Sequence, residues 1–220
     1  MGRGESKIKK GSPGAAGDIN SSFDPNAVGF TRFETLKEAI GTRGKPMSVE
    51  KAVAGANPYH NNEYSEFSEN CQRCVLATEM RMRGYKVVAQ PTYEGDTAAT
   101  TKFVNPNTGR VYKEYFGAFQ DAKTILVSDQ KDFEQRLKSY GDGARVALSF
   151  GWEGAGYGHV LNVVYKKGAI RYVDGQTGEY FKGKQLWGEI KPGTAAITRL
   201  DNLKISNRMK EYVEPEGRRK

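Results

Sequence analysis

A chain of 220 residues with a net charge of +8 and 37% apolar side chains suits one domain of ordinary size with extended ends, or two small ones. No run approaches the roughly 18 apolar residues of a membrane helix, and no apolar segment follows the N-terminal lysines, so a soluble chain without a signal peptide is expected. Two cysteines exclude a disulfide scaffold and point to synthesis in a reducing compartment.

In chain order, residues 1–29 are rich in Gly, Ser, Asn and Pro and read as a flexible basic leader. The opening MGRGES fits the pattern for myristoylation of Gly2, a short pattern more often met by chance. TRFETLKEAI (31–40) predicts a short helix with Phe33, Leu36 and Ile40 on one face, GTRGKP (41–46) a linker, and the folded domain is expected to start near Met47. MSVEKAVAGA predicts a second short helix, and NPYHNNEYSEFSE a polar, tyrosine-studded loop. NCQRCVLATEMRMRGY (70–85) predicts an amphipathic helix that stops at Gly84 in a left-handed cap. YKVVAQP reads as a strand, and NPNTGR as the turn of a hairpin between TTKFV and VYKEYF. SDQKDFEQRLKSYGDG predicts a helix capped by Ser128 or Asp129, with Phe133, Leu137 and Tyr140 on one face and Gly141 at its end. RVALSFGW (145–152), HVLNVVY (159–165) and AIRYVD (169–174) are strand-like, and AAITRLDNLKI closes the sheet. Residues 206–220 read as a basic tail whose scarcity of aromatic residues argues against specific nucleic-acid binding. Helix first and antiparallel strands after make the class α+β, with one domain over 47–205.

His159 opens one strand and Asp174 ends the next. A turn centred on Lys167-Gly168 pairs Lys166 with Ala169 and sets His159 opposite Gln176, with Asp174 one step along on the same face. A loop wider by two residues sets His159 opposite Asp174 itself; a slip by one parts them. Joined to a carboxylate, an imidazole is held in one tautomer and its protonated form is favoured, which is what a general base needs. The nucleophile to match it is Cys71, in the first turn of the cysteine-bearing helix, where amide groups and the helix dipole favour a thiolate and can form an oxyanion hole. Asn70 is placed to cap that helix. Cys74, almost a turn further on, reads as a small buried hydrophobe.

Blander readings compete. CQRC would make a zinc site only with His60 and His159 at irregular spacings, and a redox pair only after a strand that is not there, so neither a metal nor an organic cofactor is expected. His60 reads as a surface residue of its loop. Trp152, Tyr157 and Trp187 are candidates to line a substrate groove, although aromatics beside strands are more often packing.

NPYHNNEYSEFSENCQRCVLATEMRMRGYKVVAQP, YGHVLNVVY, IRYVDGQTGEYF and TRLDNLKI together resemble the papain-fold toxin domain of glutamine-deamidase type, found in bacterial polymorphic toxins and in some phage minor head proteins. The resemblance spans roughly 47–205 and implies a papain-like fold in which a helix carrying the cysteine packs on a sheet carrying histidine and acid. It maps the nucleophile to Cys71, the histidine to His159 and the acid to Asp174, and gives Gln176 a positioning or oxyanion role beside Asn70. Gly175 stands where proline is common, a departure expected to loosen the turn. The Cys-Gly-x-Cys-Trp context of papain-type peptidases is missing, as is a glutamine six residues before Cys71, which counts against ordinary peptidase activity. The implied activity is deamidation or transamidation of a glutamine on a target protein. A cysteine protease of the same fold and a non-catalytic phage head or interaction module are its rivals. An immunity protein, and a virion-associated or delivered life after synthesis in a bacterial cytoplasm, are compatible with the resemblance.

Overall fold

The structure is a computed structural model and describes residues 32–60, 65–92 and 115–218. Gly2, the leader up to residue 31 and the predicted hairpin turn at 105–110 lie outside the described residues.

Local signals in the sequence account for most element boundaries. Thr35 opens helix α1 (Leu36–Ile40) with a capping box completed by Glu38, and Ser48 caps α2 (Val49–Ala54) by accepting from the Lys51 amide. Helix α3 (Cys71–Met82) ends before Gly84, whose φ of 102° a side chain would resist. Strand β1 (Val87–Ala89) follows it. The predicted second hairpin strand ends instead in a 3-10 turn, Tyr115–Ala118, ahead of β2 (Thr124–Leu126). Asp129, rather than Ser128, caps α4 (Gln130–Ser139). Then come β3 (Arg145–Gly151), β4 (Gly158–Lys166), β5 (Ala169–Val173), β6 (Tyr180–Phe181), α5 (Gly183–Glu189), β7 (Ala196–Arg199) and β8 (Val213–Pro215).

Six strands form one antiparallel sheet in the order β2-β7-β3-β4-β5-β6, and β1 pairs with β8 in a separate ribbon. Between β4 and β5 the narrow register holds, with Lys166 opposite Ala169 and Asn162 opposite Val173. Lys167 and Gly168 make the turn with φ of 52° and 76°, the left-handed pair whose twist suits a two-residue hairpin.

The sheet has a layer on each face. Val75, Leu76 and Met80 of α3 pack with Ala147 and Val160 on one side; on the other, Phe133 and Leu137 of α4 and Leu186 of α5 pack with Leu148, Phe150, Leu161 and Val163. The alternation of side chains along β3 and β4 serves both layers. A buried Glu79 fastens α3 to the sheet: its carboxylate accepts from Arg145 at 2.7 and 2.9 Å and from Arg83 at 2.7 Å. No described helix is long and apolar enough to cross a membrane.

Both expected domain boundaries move outward. Phe33, Ala39 and Ile40 are buried in the α3-side core, and the supposed linker is held by the Gly44 amide donating to the Gly84 carbonyl at 2.8 Å. The residues expected to form a solvated tail instead build a 3-10 turn, Asn207–Glu211, and then β8. Met209, Tyr212 and Val213 enter the core, and Arg73 of α3 bonds the Glu211 carbonyl and lies over the Tyr212 ring at 5.5 Å. The two ends also meet, with Lys210 donating to the Glu34 carbonyl at 2.7 Å and Arg218 lying over Phe33 at 4.8 Å. Average composition hid three apolar residues spaced for a turn and a short strand among charges.

Candidate active site

Cys71 is the first residue of α3, half-buried, with a free thiol. Its side chain lies near enough to the imidazole of His159, the second residue of β4, to help raise that group's pKa. His159 Nε2 meets Asp174 Oδ2 at 2.8 Å. Asp174 follows β5 directly, and its second oxygen, Oδ1, accepts from the Gln176 amide at 2.8 Å. The turn is closed by the Asp174 amide donating to Glu179 and the Gly178 amide donating to Asp174, each at 2.9 Å. His159 faces the α4 side of the sheet, where Trp152 stacks on its ring at 5.9 Å and 17° and Phe150 meets it edge-on at 6.0 Å. Cys71 comes from the opposite layer, so the three groups meet at the margin where the layers join.

Burial opposes charge on both members of the His159–Asp174 pair, and attraction overcomes it. For His159, burial pulls the pKa down, but the charge of Asp174, its hydrogen bond and the Cys71 sulfur push it up to about 10. For Asp174, burial pulls the pKa up, but the imidazolium and the donors from His159, Gln176 and Thr177 hold it below the usual carboxylate range. The pair is therefore an imidazolium–carboxylate pair at neutral pH.

Cys74 is 1% exposed and donates its thiol hydrogen to Asn70 Oδ1 at 3.1 Å. Burial, then the neighbouring charges of Asp174 and Cys71, push that thiol well above its ordinary range, so it stays protonated.

Asn70 does not cap α3 with its side chain, contrary to expectation. Fully buried, its amide group accepts from Cys74 and Asn57 and donates to Asn57 Oδ1 at 3.3 Å and the Gln90 carbonyl at 3.1 Å. An inward turn of this kind takes the Asn70 amide away from any oxyanion forming at Cys71. Gln176 is also a brace: its Nε2 donates to the Ser68 carbonyl at 2.7 Å, tying the acid turn to the loop before Cys71. Gly175 does not loosen that turn. A Cβ there would stand 2.2 Å from Thr78 Oγ1 and 3.0 Å from the Cys74 carbonyl oxygen, so glycine permits a close approach to α3.

The aromatic candidates part company. Trp152 is 2% exposed and packs over the imidazole instead of lining a groove. Tyr157 is half-buried against the same cluster, its carbonyl accepting from the Trp152 amide at 3.2 Å, which closes the glycine-rich loop. Trp187 donates to the Tyr172 hydroxyl at 3.3 Å and packs on Phe133, in the α4 layer. His60 is half-buried, with Nδ1 3.4 Å from the Phe67 carbonyl, and no cluster of three or more His, Cys, Asp or Glu suited to a metal occurs among the described residues.

Two contributors escaped the sequence reading. Asn57 stood inside a stretch read as polar loop, where an asparagine before proline signals a turn. Glu79 and Arg83 had the spacing of an ordinary surface ion pair, and only the distant Arg145 turns them into a buried clamp.

A family model described as papain fold toxin 1, glutamine deamidase, matches residues 69–179, a span that holds Cys71, His159 and Asp174. No curated protein matches the chain.

Proposed function

The chain belongs to the papain-fold toxin 1, glutamine deamidase family, and on that premise we propose that it hydrolyses the side-chain amide of a glutamine on a target protein, with Cys71 as nucleophile. One observation carries this reading: within the matched span, a buried carboxylate holds an imidazole at 2.8 Å, and a helix-terminal thiol lies near enough to that imidazole to help raise its pKa.

The sulfur attacks the carboxamide carbon, and the carbonyl electrons pass to its oxygen. The Cys71 backbone amide, on a helix end that Asn70 leaves without a side-chain acceptor, is a candidate donor to that oxyanion. Collapse breaks the C–N bond as His159 gives its proton to the nitrogen, so ammonia leaves and a thioester remains. Water then attacks the thioester, His159 takes the proton, and glutamate departs with the thiol restored. Asp174 keeps the imidazole aligned through both steps and favours its protonated form before the first and after the second. An acceptor amine in place of water would give transamidation. No step calls on a metal or organic cofactor.

The family's description as a toxin supports a role against a target cell, in which an immunity protein covering the thiol would protect the producer. Incubating host-cell proteins with the enzyme and with Cys71→Ala tests the reading. Ammonia release with a glutamine converted to glutamate supports it, new chain termini favour a protease of the same fold, and no change in any protein favours a non-catalytic module.

A further inference from the structure

We infer that Asn57, which follows α2 and touches none of the three reacting groups, is a positioning residue that sets the spacing between Cys71 and the His159–Asp174 pair. This rests on the assignment of the triad above. Asn57 Nδ2 donates to the Phe67 carbonyl at 2.8 Å, Asn70 Oδ1 at 3.2 Å and the Gln176 carbonyl at 3.2 Å, and its Oδ1 accepts from Asn70 at 3.3 Å. The first, second and fourth contacts fix the segment that delivers Cys71. The third fixes the turn that delivers Asp174. These two segments lie about a hundred residues apart in the chain, and one buried amide group reads both.

The bond from Gln176 Nε2 to the Ser68 carbonyl runs between the same two segments, so the brace is double. Both links are between uncharged groups, which hold position without placing a competing charge beside the sulfur. Removing the Asn57 amide deletes the donor to three acceptors and breaks its link to the Gln176 carbonyl, so the segments drift apart while the His159–Asp174 bond survives. A displacement of about 1 Å at a reacting atom costs on the order of 100-fold in rate.

The test compares wild type, His159→Ala, Asn57→Ala and the volume-preserving Asn57→Asp, each checked for a folded circular dichroism spectrum. The rate of Cys71 alkylation by iodoacetamide is measured against pH beside kcat and KM. The expected result is a kcat lowered on the order of 100-fold at nearly constant KM, with an alkylation profile that collapses towards that of His159→Ala. The imidazole resonances of the chain's two histidines still report a His159 charged above neutral pH, because Asp174, the leading source of its raised pKa, stays in place. Should a folded Asn57 variant keep the wild-type alkylation profile and kcat, the positioning role is overturned alone. If wild type and His159→Ala alkylate identically, the triad falls, and the role of Asn57 with it. Should alkylation depend on both residues while no ammonia is released from any glutamine substrate, the brace stands and the deamidase reading fails.

Discussion

The two ends of α3 are held by opposite kinds of chemistry. At its N-terminus the braces around Cys71 are amide groups and one protonated thiol, from Asn57, Asn70, Cys74 and Gln176. Eight residues on, about 12 Å along the axis, a buried Glu79 holds two arginines and through them β3 and the segment after β7. A charge clamp gives strong attachment, but its field would compete with the charge on His159 if it stood beside it. Neutral amides fix geometry near the sulfur, with buried Arg73 tied to the Glu211 carbonyl, and the Glu79 ion clamp anchors the helix at a distance. The difference separates where the helix is secured from where it reacts.

Loss of the sulfur should have the largest effect. Cys71→Ser is expected to lower ammonia release by about 10⁴-fold or more, as in other enzymes whose triad members act as a unit, with an unchanged thermal midpoint because Cys71 is only half-buried. Asp174→Asn comes next, with kcat falling by about 10³- to 10⁴-fold. Its alkaline limb in kcat/KM, set in wild type by His159 near pH 10, should move towards neutrality because the leading source of the upward shift is gone. The sign on stability follows: the raised His159 pKa stabilises wild type fully below about pH 6.5, and that contribution is lost as pH climbs through about 10. Urea midpoints taken between those limits should converge for wild type and Asp174→Asn at the alkaline end.

Glu79→Ala probes the other end. Leaving two arginines without their buried partner should cost about 3–5 kcal/mol in urea unfolding, while the pH limb of the surviving folded enzyme stays in place. Movement of that limb would break the separation between anchor and site. A smaller loss, about 1–3 kcal/mol, is expected for Gly175→Ala from overpacking against α3. Thr78→Ala in the same chain should recover part of it, since Thr78 Oγ1 is the atom struck first and has no hydrogen-bond partner among the described residues. The smallest effect belongs to Glu50→Gln, which parts an exposed ion pair with Arg171 and should leave the midpoint unmoved.

What could be read from the chain beforehand divides along physical lines. Period-two alternation made two β4–β5 registers legible, either of which joins His159 to Asp174, and the chain adopts the narrower one with the Lys167-Gly168 turn, because a hairpin is a local object. The helix carrying Cys71 was equally legible from its cap region and Gly84. Long-range polar braces were not. Asn70 had the identity and position of a cap, yet its side chain found better-buried partners in Asn57, Cys74 and Gln90, which no spacing along the chain announces. Trp152 was read as a groove wall because exposure cannot be judged from an aromatic beside a strand; it covers the imidazole from behind. The terminal segments misled for a third reason, since charge averaged over a window conceals a few apolar residues that pair with a partner far upstream.

That last pairing has a bearing on timing during synthesis. Strand β8 lies against β1, which follows the nucleophile helix by only a few residues, and Gln90 in the next position bonds both the Tyr212 and Val213 carbonyls. A nascent chain that has not yet released residues 213–215 from the ribosome has made Cys71, His159 and Asp174 but not the strand that completes the floor beneath α3. Its thiol and imidazole are present before β8 pairs with β1 beside α3, so completion of the core under the nucleophile helix waits on residues translated after the chemistry.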